Sequence, residues 1–183
     1  MSFLRVILLG LTVAHWVAAQ DQTLVSGASG TAVAKAAVAR VLGCGIFPGD
    51  NGLLRKIGWV ESKDGTDPNT YRPNYHGGIW QVDSIGFLDT KTHPSAVRNL
   101  HAGIKRCLGV DWRNLSWSEL RKPLYSAMAA RAKLYVTGAP ASCNAPIPSS
   151  NTAQADYWKI CYNSALGAGT PAHFLSSVAV MPN

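Results

Sequence analysis

The sequence lacks long apolar runs, closely spaced cysteine pairs of the metal-binding kind, and internal repeats. After the N-terminal segment no run approaches the roughly 18 to 20 apolar residues that a membrane-spanning helix needs. No Cys-x-x-Cys pair is present, and His76, His93 and His101 do not stand at the spacing of zinc ligands. No internal repeat or second domain is visible. These absences favour one soluble domain with no metal, no cofactor and no stable membrane insertion.

Acidic residues are scarce too, with 10 Asp and Glu against 17 Lys and Arg. Residues 1–19 combine a basic start, an apolar run over residues 6–13 and Val17-Ala18-Ala19, which is the pattern of a signal peptide. We therefore expect a secreted, extracellular protein whose single domain spans residues 20–183. Without Arg5 it has 16 basic and 10 acidic residues, a net charge of +6. This charge favours an anionic bacterial surface as a partner, with simple solubility as the alternative. We expect a monomer and no nucleic-acid partner.

Four cysteines fall within the expected domain: Cys44, Cys107, Cys143 and Cys161. An even number in a secreted chain suggests two disulfides. Of the three possible connectivities we favour Cys44 with Cys107 and Cys143 with Cys161. The second bond would clamp a proline-rich loop to the helix after it, but the sequence leaves the other pairings open.

Helical periodicity dominates the chain, and the fold class we expect is mainly α. Apolar residues recur at helical spacing in residues 31–42, 51–62, 95–109, 116–136 (with a break near Pro123) and 155–166. Residues 63–77 are rich in Pro, Gly, Asp and Asn, which is typical of turns, so only a loop or short strands are expected there. Residues 138–156 are rich in Pro, Ser and Ala, and we expect them to cross the surface.

Glu61 follows Trp59 and Val60 near the end of the second expected helix, where a charge is unfavourable. Burial of a carboxyl group disfavours its ionised form and raises its pKa. A carboxyl group that keeps its proton near neutral pH can act as a general acid towards a poor leaving group, such as a glycosidic oxygen. The alternative is a structural glutamate held by backbone amides or by Arg55 or Lys56.

A second polar cluster follows at residues 77–83, Gly-Gly-Ile-Trp-Gln-Val-Asp. Gly77 and Gly78 would let a sugar chain approach the backbone. Trp80 would offer it a flat apolar surface beside the hydrogen-bonding amide of Gln81. Asp83 adds a second carboxylate, and paired carboxylates are the usual apparatus of glycoside hydrolysis.

Tyr71 and His76 lie in the loop between Glu61 and the glycine pair, where they are positioned to touch a substrate. The other tryptophans, Trp59, Trp112, Trp117 and Trp158, fit core packing better than sugar binding.

Three segments carry a family resemblance. Glu-Ser at 61–62, Gly-Ile-Trp-Gln-Val-Asp at 78–83 and Cys-Tyr-Asn-Ser-Ala-Leu-Gly-Ala-Gly at 161–169 occur in the order and spacing of goose-type lysozymes and bacterial lytic transglycosylases. The likeness covers roughly residues 50–175. It implies a compact lysozyme-like fold with a small irregular or short-strand region after the catalytic helix, and a cleft for the amino-sugar backbone of peptidoglycan. Trp80, in place of the usual Met, and the Ser-Ala-Leu-Gly after the Tyr-Asn pair depart from the family pattern.

The resemblance also implies a role for individual residues. Glu61 matches the family's catalytic acid, and Asp83 matches a carboxylate that positions the attacking water. Ser62 matches a residue that helps to hold the acid, and Gln81 matches an amide lining the cleft. Tyr162 and Asn163 match the pair that faces the acid across the site. The residues that we expect to contact the substrate are Ser62, Gln81, Tyr162, Asn163, Tyr71 and His76.

These observations favour a secreted muramidase that cleaves peptidoglycan or a related amino-sugar polymer such as chitin. Three alternatives stay open: a lytic transglycosylase, in which the substrate's own hydroxyl group attacks; a non-catalytic glycan-binding protein of the same fold; and a cationic protein that disrupts membranes.

Overall fold

A computed structural model describes residues 20–138, 140–164 and 167–183. The expected signal peptide, residues 1–19, lies outside the described residues. Eight α-helices are present in the described residues: α1 Thr31–Gly43, α2 Leu53–Ser62, α3 Ser84–Thr92, α4 Pro94–Asn99, α5 His101–Leu108, α6 Pro123–Val136, α7 Asn151–Trp158 and α8 Pro171–Ala179. Shorter helical turns span Gln22–Leu24, Trp112–Asn114, Trp117–Arg121 and Ala141–Asn144, and a π-helical turn spans Lys159–Asn163. The mainly α prediction is confirmed, and the described residues contain no strand.

Helix α6 is the central element of the fold. Pro123 starts it, as proline does at a first helical position, and twelve of its fourteen residues are buried. Its many alanines let neighbouring helices approach closely, and α1, α2, α3 and α4 all pack against it. The buried apolar side chains of the described residues form one continuous core around this helix.

Helix α2 carries Glu61 and is fixed at both ends. At its start, the Asp50 carboxylate accepts a hydrogen bond from the Leu54 amide at 3.1 Å. Leu53, Leu54, Ile57 and Val60 are buried, so the apolar face that predicts this helix is the one that packs. At its end, Lys63 adopts a left-handed conformation (φ 51°) and stops the helix directly after Ser62. Residues 63–77 then form turns rather than strands.

Both favoured disulfides, Cys44–Cys107 and Cys143–Cys161, are present, which confirms the expected pairing. Disulfides are compatible with a secreted protein. Most of residues 140–156 are exposed, in agreement with the surface crossing expected for residues 138–156, and the segment also contributes to the core. Ser150 caps α7, which begins at Asn151, while Cys143 and Gln154 are buried because this segment packs onto the core. No helix in the described part of the chain is long and apolar enough to cross a membrane.

Candidate active site

Glu61 lies in the last turn of α2 and is half-buried. Its Oε1 accepts a hydrogen bond of 2.9 Å from the indole Nε1 of Trp158. Burial raises the pKa of Glu61 to about 7, while the Trp158 hydrogen bond and the positive charge of Lys133 partly oppose that rise. The carboxyl group therefore binds and releases a proton near neutral pH, as a general acid must.

Ser62 holds the end of α2 in place. Its Oγ donates to the Ile79 carbonyl at 2.6 Å and accepts from the Gly65 amide at 2.8 Å. The residue is 2% exposed, so it has no surface to offer a sugar. The expected substrate contact is therefore corrected: Ser62 acts inside the protein, where it ties the helix end to the segment after Gly78.

The two glycines of the Gly77-Gly78 turn pack against the protein's own backbone. A Cβ atom on Gly78, whose φ is +64°, would lie 2.0 Å from the Leu120 carbonyl oxygen. A Cβ on Gly77 would lie 2.7 Å from the Val82 carbonyl oxygen. Both residues are buried. The expectation that they open the backbone to a sugar chain is wrong, because the space beside them is already filled by residues of the chain itself.

Trp80 is also a core residue rather than a sugar platform. It is completely buried, and its indole Nε1 donates to the Leu54 carbonyl at 2.7 Å. Its ring fills the space beside Gly58, where a Cβ would approach it to 3.1 Å. The flat surface expected for substrate is therefore absent at this position, since the ring faces α2.

Gln81 has its amide engaged within the turn. Its Nε2 donates to the Thr70 and Gly78 carbonyls at 3.1 and 2.6 Å, and its Oε1 accepts from Arg72 at 2.8 Å. With φ at +51°, the residue holds an unusual backbone conformation that these bonds stabilise. A sugar would have to displace one of these partners to bond the amide.

Asp83 caps α3 and is exposed to solvent. Its Oδ1 accepts from the Gly86 amide at 2.6 Å, a hydrogen bond of the usual N-cap kind. A carboxylate has acceptor capacity left after one such bond, so Asp83 can also orient a water molecule.

Two tyrosines link the carboxyl groups of Glu61 and Asp83 in one electrostatic cluster. Burial raises the pKa of Tyr75 to about 12, with the charges of Asp83 and Glu61 adding to the rise and Arg72 opposing it. Burial likewise raises the pKa of Tyr162, and Glu61, Tyr75 and Asp83 add to the effect. Tyr75 donates to the Gln81 carbonyl at 2.7 Å and Tyr162 to the Trp80 carbonyl at 2.6 Å, so both phenols lie against the segment that leads to Asp83. Since Glu61 and Asp83 also raise the pKa of both phenols, the structure groups Glu61, Asp83 and Tyr162. It adds Tyr75, which is absent from the expected set.

Lys133 lies beside this cluster. Its Nζ donates to the Tyr162 backbone carbonyl at 2.9 Å and sits 4.7 Å from the centre of that residue's ring. Its aliphatic stem passes Gly86 in the first turn of α3, where a Cβ would lie 3.2 Å from Lys133 and 3.0 Å from Asp83. The lysine that lowers the pKa of Glu61 thus also borders the helix that Asp83 caps.

Tyr162 and Asn163, the expected Tyr-Asn pair, have different environments. Tyr162 is buried, and its phenol donates to the Trp80 carbonyl at 2.6 Å, which joins the π-helical turn to the Gly78–Asp83 segment. Asn163 is half-buried, and its side-chain oxygen accepts from Lys159 at 3.2 Å. The Ser-Ala part of the motif includes Ala165, which lies outside the described residues.

Tyr71 and His76 sit in different surroundings. The Tyr71 hydroxyl donates to the Ala28 carbonyl at 2.9 Å, so this side chain anchors the segment before α1 and is not brought to the carboxyl cluster. His76 packs edge-on against Trp117, with ring centres 5.1 Å apart. Its buried Nδ1 has no hydrogen-bond partner.

Trp158 and Lys133, like Tyr75, are site residues that sequence reasoning missed. Trp158 stands four residues before Tyr162, a spacing that places two side chains on one helical face, so a signal was present. It is 1% exposed and packs as a core residue too, which agrees with the expectation for the tryptophans. Lys133 gives no comparable signal, since its position depends on how α6 packs against α3.

No family model, curated protein or solved structure matches the chain. Within the described residues, no group of three or more His, Cys, Asp or Glu side chains could hold a metal ion. The ionisable groups that the structure places at the site are the carboxyl groups of Glu61 and Asp83, the phenols of Tyr75 and Tyr162, and Lys133.

Proposed function

We propose that the protein is a secreted muramidase, a glycoside hydrolase that cleaves the amino-sugar backbone of bacterial peptidoglycan. One observation carries the proposal: Glu61 is a half-buried carboxyl group whose pKa is raised to about 7, in one electrostatic cluster with Asp83. The resemblance of three sequence segments to the goose-type lysozymes is a second, weaker support.

In this mechanism the protonated Glu61 donates its proton to the glycosidic oxygen as the bond to the anomeric carbon breaks. Asp83 orients a water molecule on the other side of the sugar, and the water oxygen attacks the positively charged ring. The proton released by the water passes to solvent by way of Asp83, and Glu61 regains a proton before the next cycle. The products together contain one water more than the substrate.

The proposed roles of the neighbouring residues follow from their contacts. Trp158 fixes the direction of the Glu61 carboxyl group through its indole N–H. Lys133 keeps the pKa of Glu61 from rising further, so that the proton can leave readily. Ser62 and Tyr162 hold the two segments on which the acid and the second carboxylate depend.

The first test is digestion of purified peptidoglycan by the disulfide-bonded protein, with the soluble fragments identified by mass spectrometry. We expect Glu61→Gln to remain folded and to lose about 10²-fold or more of the activity, as is usual when a general acid is removed. Glu119→Gln is the matched control, because Glu119 is the only other glutamate in the sequence and its carboxylate pairs with Lys122. Equal activity of wild type and Glu61→Gln would contradict the proposal.

The second carboxylate is tested by Asp83→Asn. Asparagine is also a good N-cap residue, so α3 should form as before while the negative charge is lost. We expect hydrolysis to fall strongly. Anhydro products from the wild type, which contain no added water, would instead identify a lytic transglycosylase. If neither wild type nor Glu61→Gln releases fragments while both still sediment with the glycan, the protein is a binding protein.

A further inference from the structure

A second concave site lies away from Glu61, between the start of α2, the outer side of α6 and the loop before α7. Its volume is about 440 Å³, within the range of small-molecule binding sites. Pro48, Leu134, Pro146 and Ile147 give it apolar walls. Its main polar and aromatic lining residues are Asn51, Asn99, Arg131, Tyr135, Asn144 and Tyr157.

Helical geometry separates this cavity from the carboxyl cluster. Each residue of an α-helix turns by about 100°, so Lys133 points roughly opposite to the mean direction of Arg131, Leu134 and Tyr135. Lys133 contacts Tyr162 beside Glu61, whereas the other three line the cavity. Asn51 and Glu61 stand before and near the end of α2, and ten residues at 1.5 Å each put them about 15 Å apart along it.

The lining combines flat rings with amides. Tyr135 packs edge-on against Phe47, and its hydroxyl group accepts a long hydrogen bond of 3.4 Å from Asn99. Asn144 donates to the Gly138 carbonyl at 3.1 Å, which leaves its side-chain oxygen available as an acceptor. A pyranose ring has the complementary chemistry, since its C–H face packs on aromatic rings and its hydroxyl groups both donate and accept.

Charge distinguishes the kind of ligand. Arg131 lines the cavity but is only 2% exposed, and its Nε lies 3.5 Å from the buried carboxylate of Asp50. The two charges offset each other, so the pair does not favour an anion such as phosphate. The guanidinium also donates to the Pro48 carbonyl at 3.0 Å, so the protein itself engages this group, and the polar contacts to a neutral ligand would come from the amide side chains and the Tyr135 hydroxyl.

We propose that this cavity is a second sugar-binding site, which takes one or two neutral pyranose units on the side of α6 opposite the carboxyl cluster. Its binding does not require cleavage at Glu61. In a glycan-cleaving protein such a site would hold a distant part of the polymer, or a released fragment, while the bond at Glu61 is cut.

The proposal is tested by titrating diacetylchitobiose, a neutral amino-sugar disaccharide, into isotope-labelled Glu61→Gln protein and following the backbone amide signals by NMR. The Glu61→Gln background prevents turnover. We expect saturable shifts of the amides of Asn99, Tyr135 and Asn144, with a Kd of about 1–10 mM. Tyr135→Ala should weaken the binding about fivefold or more.

Asn144→Trp is a second variant for the case that Tyr135→Ala fails to fold. Asn144 is exposed at the cavity, so a large ring at this position would fill the cavity without changing the core. We expect this change to abolish the shifts, while Asn114→Trp, at an exposed position outside the cavity, leaves them unchanged. No saturable shift at about 50 mM disaccharide, shifts unaffected by Asn144→Trp, or preferential binding of inorganic phosphate would each overturn the proposal. Shifts confined to the surroundings of Glu61 would overturn the second sugar-binding site and leave the proposed cleavage intact. Saturable shifts at the cavity in a protein that does not cleave peptidoglycan would support the second site and contradict only the proposed cleavage.

Discussion

At Glu61, burial acts against the charged form of the side chain, and this should be measurable in stability as well as in catalysis. The folded protein holds the proton up to about pH 7, whereas the unfolded chain releases it near the ordinary carboxyl pKa of 4.5. Between these values the folded state binds more protons than the unfolded state. The contribution of Glu61 to stability therefore falls as the pH rises through this window.

We accordingly expect Glu61→Gln to be the more stable protein at alkaline pH. Glutamine keeps an oxygen that can accept from Trp158 but never ionises. The difference in the free energy of unfolding should grow from near zero at pH 4 to about 2 kcal/mol at pH 8, a value reduced from the full shift because Glu61 is half-buried. Urea unfolding of both proteins at a series of pH values measures it. A difference in the free energy of unfolding that stays constant across this pH range would show that folding does not raise the pKa of Glu61.

Lys133 offers a test of the site's electrostatics that does not remove the acid. Its positive charge lowers the pKa of Glu61, so Lys133→Gln should raise that pKa. Because the general acid works only while it is protonated, the alkaline limb of the pH profile of kcat/KM should move to higher pH. The glutamine amide can still donate to the Tyr162 carbonyl, which preserves the local contact.

The control for this change is Lys35→Gln, since Lys35 is exposed on α1. Its pH profile should match that of the wild type. An alkaline limb that stays in place in Lys133→Gln, or moves to lower pH, would remove Lys133 from the group that tunes Glu61.

At the scale of elements, the Gly77-Gly78 turn determines how the second carboxylate is positioned. Gly78→Ala would force a side chain into a left-handed backbone position and to within 2.0 Å of the Leu120 oxygen. We expect a loss of about 3 kcal/mol or more, from the combined conformational strain and overpacking. For a protein of this size that corresponds to a fall in Tm of about 10 °C.

The predicted fall in Tm is measured by calorimetry of Gly78→Ala, with Gly43→Ala as the control. Gly43 is the last residue of α1, and nothing lies within 4 Å of a Cβ placed there. That variant should be neutral or slightly stabilised, because alanine favours helices. Similar stability of the two variants would mean that the turn is looser than its contacts indicate.

The elements also show which parts of the fold a sequence can predict. Helix α2 is predictable because the apolar residues that recur at helical spacing are the ones that become buried. Helix α3 is not, because its apolar residues do not mark its packed side: Ile85 is 72% and Leu88 53% exposed. The better signal was Asp83, which serves as a helix cap as well as a candidate catalytic carboxylate.

The candidate site likewise contains residues whose environment can be predicted from the sequence and residues whose environment cannot. The position of Glu61 after two apolar residues was sufficient to predict a raised pKa, because helix periodicity sets its burial. Trp80 could not be interpreted locally, since its environment depends on the absent side chain of Gly58 on another element. The same holds for Lys133, whose contacts with Tyr162 and Gly86 come from the packing of three segments.

At the scale of the whole molecule, the excess of positive charge is spread over exposed surface. Among the described residues, four ion pairs join a basic side chain to an acidic one. Helices α4 and α5 follow each other almost without interruption, since the Leu100 carbonyl accepts from the Ile104 amide at 2.8 Å. Arg98 and Lys105, seven residues apart, therefore share one face, and both are exposed together with Arg106.

This distribution predicts different salt dependences for anionic and neutral substrates. Exposed charges are screened beyond about 10 Å at 0.1 M salt, so adsorption to an anionic cell wall should weaken as salt rises. Between about 20 and 300 mM NaCl we expect KM for whole walls to rise several-fold, while cleavage of a neutral soluble oligosaccharide changes less than about twofold. The triple variant Arg98→Gln, Lys105→Gln, Arg106→Gln should flatten the first dependence and leave the second unchanged, because none of these residues lies in the carboxyl cluster. Equal salt dependence on both substrates would place the effect at the site itself, where Lys133, Arg72 and the two carboxyl groups carry charges that salt can screen.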